Sequence, residues 1–86
     1  MFPFKEENQH THFIREFPST TNKMNLVWHM DAEDRTVAPI GETDWLFQFD
    51  NELPVPIDCS IFIPKNTIHR VIKGTGSLKI KLIKHG

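Results

Sequence analysis

Two segments of the chain alternate apolar and polar side chains with a period of two. In residues 24–31 the apolar side chains occupy every second position: Met24, Leu26, Trp28 and Met30. In residues 44–50 three aromatic side chains are spaced in the same way: Trp45, Phe47 and Phe49. Successive side chains of an extended chain point to opposite faces, so this spacing predicts two half-buried β-strands.

Six prolines and four glycines interrupt the chain at short intervals and leave little room for helices of ordinary length. Further strands are predicted at residues 35–40, 60–63, 68–72 and 78–83, and residues 13–17 form a short apolar stretch. Residues 53–56 contain two prolines, which cannot donate to a ladder, so this segment is excluded from a central strand. About seven short strands without a long helix predict an all-β fold, an antiparallel sandwich or barrel.

The length of 86 residues allows one domain. We expect a single β-barrel domain at residues 11–86 and a mobile N-terminal segment at residues 1–10, since chain termini are commonly poorly ordered.

Composition narrows the class of protein further. The net charge is −1 and the sequence pI is about 6.5, which argues against a protein that binds nucleic acid through phosphate contacts. The chain has no apolar run of the length that crosses a bilayer and no secretory signal pattern at its start. Its single cysteine, Cys59, excludes an internal disulfide. We therefore expect a cytoplasmic protein with no nucleic-acid or membrane partner.

Residues 61–71 carry a recognisable pattern, Ile-Phe-Ile-Pro-Lys-Asn-Thr-Ile-His-Arg-Val. It resembles the second motif of the cupin superfamily, G-x5-P-x-G-x2-H-x3-N. Pro64 and His69 occupy the proline and histidine positions, and Asn66 stands at the inner glycine position. The predicted strand, turn and strand around these residues are the context in which that motif occurs.

Residues 44–51 resemble the second half of the first cupin motif, G-x5-HxH-x3-4-E-x6-G. Asp44 takes the carboxylate position and Asn51 the final glycine position. The HxH pair then falls at residues 38 and 40, or 37 and 39, and none of these is a histidine. The resemblance covers about residues 24–84 and implies a minimal single-domain cupin, an RmlC-like jelly roll, in which the metal site is degenerate or weak.

The resemblance also implies candidate ligand-binding residues. His69 would lie in the barrel, either as a metal ligand or as a polar residue of a metal-free pocket. Asp44 and Gln48 share one face of their strand, and the register of the motifs turns this face inward towards His69. His29 shares a face with Asp31, and it is the third histidine candidate or else a hydrogen-bonded strand residue. No catalytic residue is assigned.

Imidazole and carboxylate ligands suit divalent iron, manganese, nickel or zinc, so the cofactor to consider is a divalent transition metal. His69 and Asp44 alone are too few to hold one firmly. The spacing HxH-x3-E also occurs at His10, His12 and Glu16, which makes His12 an alternative ligand.

The same register would place Trp45, Phe47 and Phe49 on the outside of the barrel. An exposed apolar stripe on so small a domain predicts a partner surface, so we expect a homodimer. The alternative is that residues 13–17 cover the stripe within one chain.

Three functions follow as hypotheses. The first is a small-molecule-binding protein whose barrel holds the ligand and whose metal site is degenerate or weak. The second is a metal-dependent enzyme of the dioxygenase or isomerase kind that uses His69 with His29 or His12. The third is a homodimeric interaction module without catalysis. The sequence does not name the ligand, because one fold of this kind supports many chemistries.

Overall fold

The computed structural model describes residues 4–8 and 11–86. Over these residues it contains eight strands and one short 3-10 helix. In chain order they are β1 (Lys5–Asn8), β2 (Phe13–Phe17), the 3-10 helix (Lys23–Asn25), β3 (Asp34–Pro39), β4 (Leu46–Phe49), β5 (Val55–Pro56), β6 (Ile61–Ile63), β7 (His69–Ile72) and β8 (Leu78–His85).

The strands form two antiparallel sheets, in the orders β1-β2-β8-β3-β6 and β5-β4-β7. The prediction of a small all-β antiparallel jelly roll is confirmed. The proline-containing β5 lies at a sheet edge, as the missing donors require. No helix among residues 4–8 and 11–86 is long and apolar enough to span a membrane.

β8 organises the inner face of the five-stranded sheet. Leu78, Ile80 and Leu82 are each at most 5% exposed, and the lysines between them lie on the other face. Phe13 of β2 and Val37 of β3 pair with Leu82 from either side, so their side chains share its face. The alternation along three strands therefore produces one continuous apolar layer.

The aromatic side chains of β4 and of the residue before it form the facing layer. Trp45 and Phe47 are 0% and 2% exposed, and the Phe17 ring lies 5.6 Å from that of Trp45. The Trp45 indole Nε1 donates a hydrogen bond of 2.8 Å to the carbonyl oxygen of Gly76. The prediction that Trp45, Phe47 and Phe49 face outward is therefore wrong: Trp45 and Phe47 belong to the buried core together with Phe17, and Phe49 packs against that core.

The reversal has a simple physical cause. Burying an aromatic side chain stabilises a fold by about 1.5–3 kcal/mol, and the face that carries Asp44 and Gln48 offers no comparable gain. A homodimer stays a prediction, but this buried stripe is not its interface.

The prediction of a strand over residues 24–31 is also wrong. Asn22 caps the 3-10 helix by accepting a hydrogen bond of 2.9 Å from the Met24 amide. Met24 and Met30 are 79% and 52% exposed. Of this segment, only His29 makes a β-bridge, with His69. The capped helix thus forms in place of a strand, and of the four alternating residues only Leu26 packs against the core, while Met24, Trp28 and Met30 are exposed.

Asp44 holds the turn between β7 and β8 rather than facing the barrel interior. Its carboxylate accepts hydrogen bonds from the Thr75 amide, at 2.9 and 3.0 Å, and from the Thr75 hydroxyl, at 2.5 Å. These bonds hold the pKa of Asp44 below its ordinary range. The expectation that Asp44 lies inside with His69 is wrong, because the exposed carboxylate finds its donors in this turn.

The Asp44 tether predicts which glycine of the turn accepts a side chain. A Cβ on Gly74 would lie 2.1 Å from Asp44 Oδ1 and 2.8 Å from the Asp44 backbone carbonyl carbon. We expect Gly74→Ala to lower the free energy of unfolding by about 1–3 kcal/mol.

Gly76→Ala is the matched control, since nothing lies within 4 Å of its added Cβ. Its cost should stay below about 0.5 kcal/mol. Urea denaturation of the two variants checks the difference, and equal effects would contradict the proposed tether.

Candidate functional site

The turn before β7 positions His69. Asn66 has a positive φ of 58°, a conformation that asparagine tolerates better than most residues, which accounts for asparagine at the motif's glycine position. The backbone amide of Asn66 donates a hydrogen bond of 2.7 Å to the backbone carbonyl oxygen of Asp31. The neighbouring Lys65 amide donates one of 2.8 Å to Asp34 Oδ1. The turn is thereby fixed to the segment that precedes β3.

His29 and His69 face each other across a two-bond bridge. The His29 amide donates to the His69 carbonyl at 3.0 Å, and the His69 amide donates to the His29 carbonyl at 2.9 Å. Residues paired in this way present their side chains on one face. The two imidazole ring centres are 4.3 Å apart.

Asp31 completes a cluster with the two histidines. One possible ligand atom from each of His29, Asp31 and His69 lies within 4.8 Å of the other two. Asp31 Oδ1 lies 3.2 Å from Nη1 of Arg35. The other terminal nitrogen of that guanidinium, Nη2, lies 2.8 Å from Glu33 Oε1. The carboxylate is therefore fixed on one oxygen, with the other directed at His69.

Backbone carbonyls fix the proton on each imidazole. His69 Nδ1 lies 2.8 Å from the Thr67 carbonyl oxygen, and His29 Nδ1 lies 3.2 Å from the Val27 carbonyl oxygen. A carbonyl oxygen can only accept, so Nδ1 carries the proton in both rings. In this neutral tautomer each Nε2 carries a free lone pair, and a nitrogen in this form can bind a metal.

The contact between His69 and Asp31 then joins two acceptors. His69 Nε2 lies 3.4 Å from Asp31 Oδ2. Asp31 Oδ2 is buried and accepts no hydrogen bond within residues 4–8 and 11–86. Burial lowers the pKa of His69, more than Asp31 and the Thr67 carbonyl raise it, so the ring is neutral near pH 7. The gap between the two atoms fits a cation.

The three residues of the cluster line a cavity of about 450 Å³. This volume falls within the range of small-molecule sites. His29, Asp31, Arg35 and His69 contribute polar groups to its lining. Most of the remaining lining is aliphatic and aromatic. The cavity could therefore hold a small molecule that reaches the three candidate ligands.

The structure brings together two of the four predicted ligand-binding residues, His69 and His29. Asp44 and Gln48 do not line this cavity. Gln48 Oε1 accepts a hydrogen bond of 3.0 Å from Arg70, and its amide nitrogen donates one of 2.8 Å to the Glu52 carbonyl. The ligand-binding roles of Asp44 and Gln48 stay predictions.

The alternative ligand His12 does not join the cluster. It lies just before β2, next to the inward-facing Phe13, and its Nδ1 is 3.1 Å from the Thr11 hydroxyl. His10, the other histidine of that spacing, lies outside the described residues.

Sequence reasoning missed Asp31 as a ligand, although a signal for it was present. His29, Asp31 and Arg35 have the spacing HxD-x3-R, which parallels HxH-x3-E of the first cupin motif. Anchoring the carboxylate position at Asp44 displaced the motif along the chain. Asp31, at the place of the second histidine in that spacing, offers a carboxylate as a possible ligand.

The lowered pKa of His69 makes a prediction for the metal-free protein. The unfolded chain binds this proton near the ordinary value of about 6.5, and the folded chain binds it only at lower pH. Between these two values the unfolded state carries more protons, so stability falls as pH falls through that window. NMR titration of the His69 ring should give a midpoint below 6.5; a midpoint above it would contradict the account.

The chain is similar to known proteins in structure. No protein-family model matches the chain, and no curated protein matches it significantly. Solved structures do match. Protein NMB1881 from Neisseria meningitidis superposes with a TM-score of 0.60 and 17% identity, over 96% of this chain and 82% of that one.

Two further structures are similar. A cupin domain from Bordetella pertussis Tohama I gives a TM-score of 0.58 and 15% identity, over 96% of this chain and 92% of that domain. Cobalt(II) HppE in complex with Tris buffer gives a TM-score of 0.67 and 16% identity, over 95% of this chain and 52% of that one. The chain therefore spans about half the length of HppE. At these identities the likeness is one of fold, and the chain therefore has the cupin fold.

Proposed function

We propose that this protein binds a small molecule in its cavity and a divalent transition metal at the cavity wall, through His29, Asp31 and His69. The observation that carries the proposal is the 3.4 Å approach of His69 Nε2 to Asp31 Oδ2, a buried oxygen with no hydrogen-bond partner among residues 4–8 and 11–86. Two acceptors at this distance repel unless a positive charge lies between them, and a buried acceptor without a partner costs about 1–3 kcal/mol. A bound cation removes both penalties.

The spacing suits a metal ion. Two ligand atoms about 2.1 Å from one ion are about 3.0 Å apart in an octahedral site and about 3.4 Å apart in a tetrahedral one. The observed 3.4 Å lies within reach of both, while the 4.8 Å limit for the full cluster requires a small inward movement. His29 belongs to the exposed segment 24–30, which can supply that movement.

The donor set favours particular metals. Two imidazoles and one carboxylate form the set found in non-haem iron(II) proteins, and the same set accepts cobalt or zinc. The similar structure HppE has been crystallised with iron(II) and with cobalt(II). We infer that iron(II) is the physiological class of ion and that cobalt(II) is a suitable probe.

Other residues support the cluster. The Thr67 and Val27 carbonyls orient the two rings, and Arg35 fixes the Asp31 carboxylate on its Oδ1 side. Such partners of metal ligands commonly change metal affinity by about 10–100-fold when they are removed. The apolar cavity lining gives a ligand its contact surface.

Cobalt(II) titration tests the proposal. Wild-type protein treated with a chelator should bind one cobalt(II) per chain, detected by its visible absorption. Asp31→Asn keeps the shape of the side chain and removes its charge, and His69→Ala removes an imidazole. Each should weaken binding by at least about tenfold.

His85→Ala and His12→Ala are the matched controls, because each removes an imidazole outside the cluster. Both should bind cobalt(II) like the wild type. Undiminished binding by Asp31→Asn and His69→Ala, or no binding by the wild type, would overturn the proposed site.

A metal-dependent enzyme is the second candidate function, favoured by the ligand count. Three protein ligands leave positions on an iron(II) ion open, and such positions allow a metal to activate a bound substrate. The chain's own groups would exclude water and orient the substrate along the cavity.

Nitric oxide detects an open position without any knowledge of the substrate. The iron(II)-loaded wild type should give the EPR signal of a high-spin iron–nitrosyl complex. The absence of this signal from protein that has bound iron(II) would show a closed coordination shell and would argue against catalysis at the metal.

A further inference from the structure

We infer that the cavity's ligand is a small monoanion on an apolar body, such as an arylalkyl carboxylate, with its charged group directed at the metal. This inference deepens the proposed function and rests on it. It comes from two arginines that interrupt an otherwise apolar inner face.

Both arginines occupy inward-facing positions of the five-stranded sheet. Arg15 pairs with the buried Ile80 and therefore shares its face. Arg35 lies two residues before the buried Val37 on β3 and pairs with the buried Ile63. Strand alternation would normally place apolar side chains at both positions.

Each guanidinium is largely shielded from solvent. The side chains of Arg15 and Arg35 are 16% and 13% exposed, and both line the cavity. Arg15 lies 4.3 Å from the centre of the Phe4 ring, which also lines the cavity. A shielded cation acts strongly on a ligand because little water screens it.

The carboxylates that partner these arginines are placed unevenly. Arg15 pairs with Glu6, and Arg35 pairs with Glu33 as well as Asp31. Of these three carboxylates, only Asp31 lines the cavity. The charged groups that line the cavity are thus two cations and one anion.

A divalent ion at the cluster would add two positive charges to this excess of positive charge. The lining then carries a net charge of +3, and Glu6 and Glu33 outside the lining reduce the total to +1. One negative charge on the ligand balances that total. A cationic ligand would be repelled, and a neutral ligand would leave the charge unbalanced.

The rest of the cavity sets the nature of the ligand's body. The apolar part of the lining includes Phe47, Ile57, Leu78 and Leu82, each at most 3% exposed. A sugar-like ligand would leave hydroxyl groups without partners against this wall, at a cost for each group. An apolar body instead gains affinity from its buried surface.

A series of matched probes tests the inference on cobalt(II)-loaded wild-type protein. The probes are 4-phenylbutyrate, the isosteric 4-phenylbutanamide, 4-phenylbutylamine and acetate. Calorimetry gives each dissociation constant, and the cobalt absorption reports whether the metal environment changes. We expect 4-phenylbutyrate to bind at least about tenfold more tightly than the amide and than acetate, and the amine not to bind.

Equal binding of carboxylate and amide by the cobalt-loaded protein would overturn this inference and leave the proposed metal site intact. Binding of acetate as tight as that of 4-phenylbutyrate would overturn the apolar body. Failure of the protein to bind cobalt(II) at all would overturn the proposed function and this inference together, so the two failures are distinguishable.

A pair of valine substitutions locates the bound probe. Val71 lines the cavity, whereas Val55 is 45% exposed on the edge strand β5. Val71→Phe should weaken 4-phenylbutyrate binding at least about fivefold while cobalt(II) still binds, because the added ring occupies cavity volume. Val55→Phe should bind like the wild type. Equal affinities of the two variants for the probe, with cobalt bound to both, would place the probe elsewhere and contradict the inference.

Discussion

The backbone bridge between His29 and His69 is the contact on which the candidate site depends. Its two hydrogen bonds, of 3.0 and 2.9 Å, are the β-bridge that joins the segment after the 3-10 helix to the second sheet. They bring the two imidazole rings into an edge-to-face contact, with centres 4.3 Å apart, and they position Asp31, two residues after His29, beside His69. Without this bridge, His69 would line an apolar cavity alone, and the site would have no second imidazole.

A polar group of the cavity lowers the stability of the metal-free fold, which supports a role for it in binding. Among residues 4–8 and 11–86, the metal-free protein holds a buried carboxylate oxygen without a hydrogen-bond partner, a neutral imidazole directed at it and two shielded guanidinium groups that pair with carboxylates. The oxygen without a partner destabilises the fold, and a domain of this size has only a small core to offset that cost. Polar groups buried at such cost in an apolar cavity are typical of binding sites. A cation and an anionic ligand would satisfy them in turn.

The sequence predicted the fold better than the site. Strand β8 and the turn at Asn66 followed from local rules, since alternation and a left-handed turn residue both act within a few positions. The buried face of β4 did not follow from local rules, because alternation distinguishes two faces without saying which one is buried. Tertiary packing decides that, as in the contact of Phe17 with Trp45. The local spacing HxD-x3-R marks Asp31 as a candidate, but its proximity to His69 depends on a pairing across 38 residues of chain, which a local pattern does not show. His69 itself was found because the turn that positions it is local.

The central claim is that His29, Asp31 and His69 together hold one metal ion. Anomalous diffraction at the cobalt edge, from crystals grown with cobalt(II), tests it most directly. The account predicts one strong peak about 2.0–2.2 Å from His29 Nε2, Asp31 Oδ2 and His69 Nε2. A cobalt peak on other residues, with this cluster left empty in the same crystals, would contradict it.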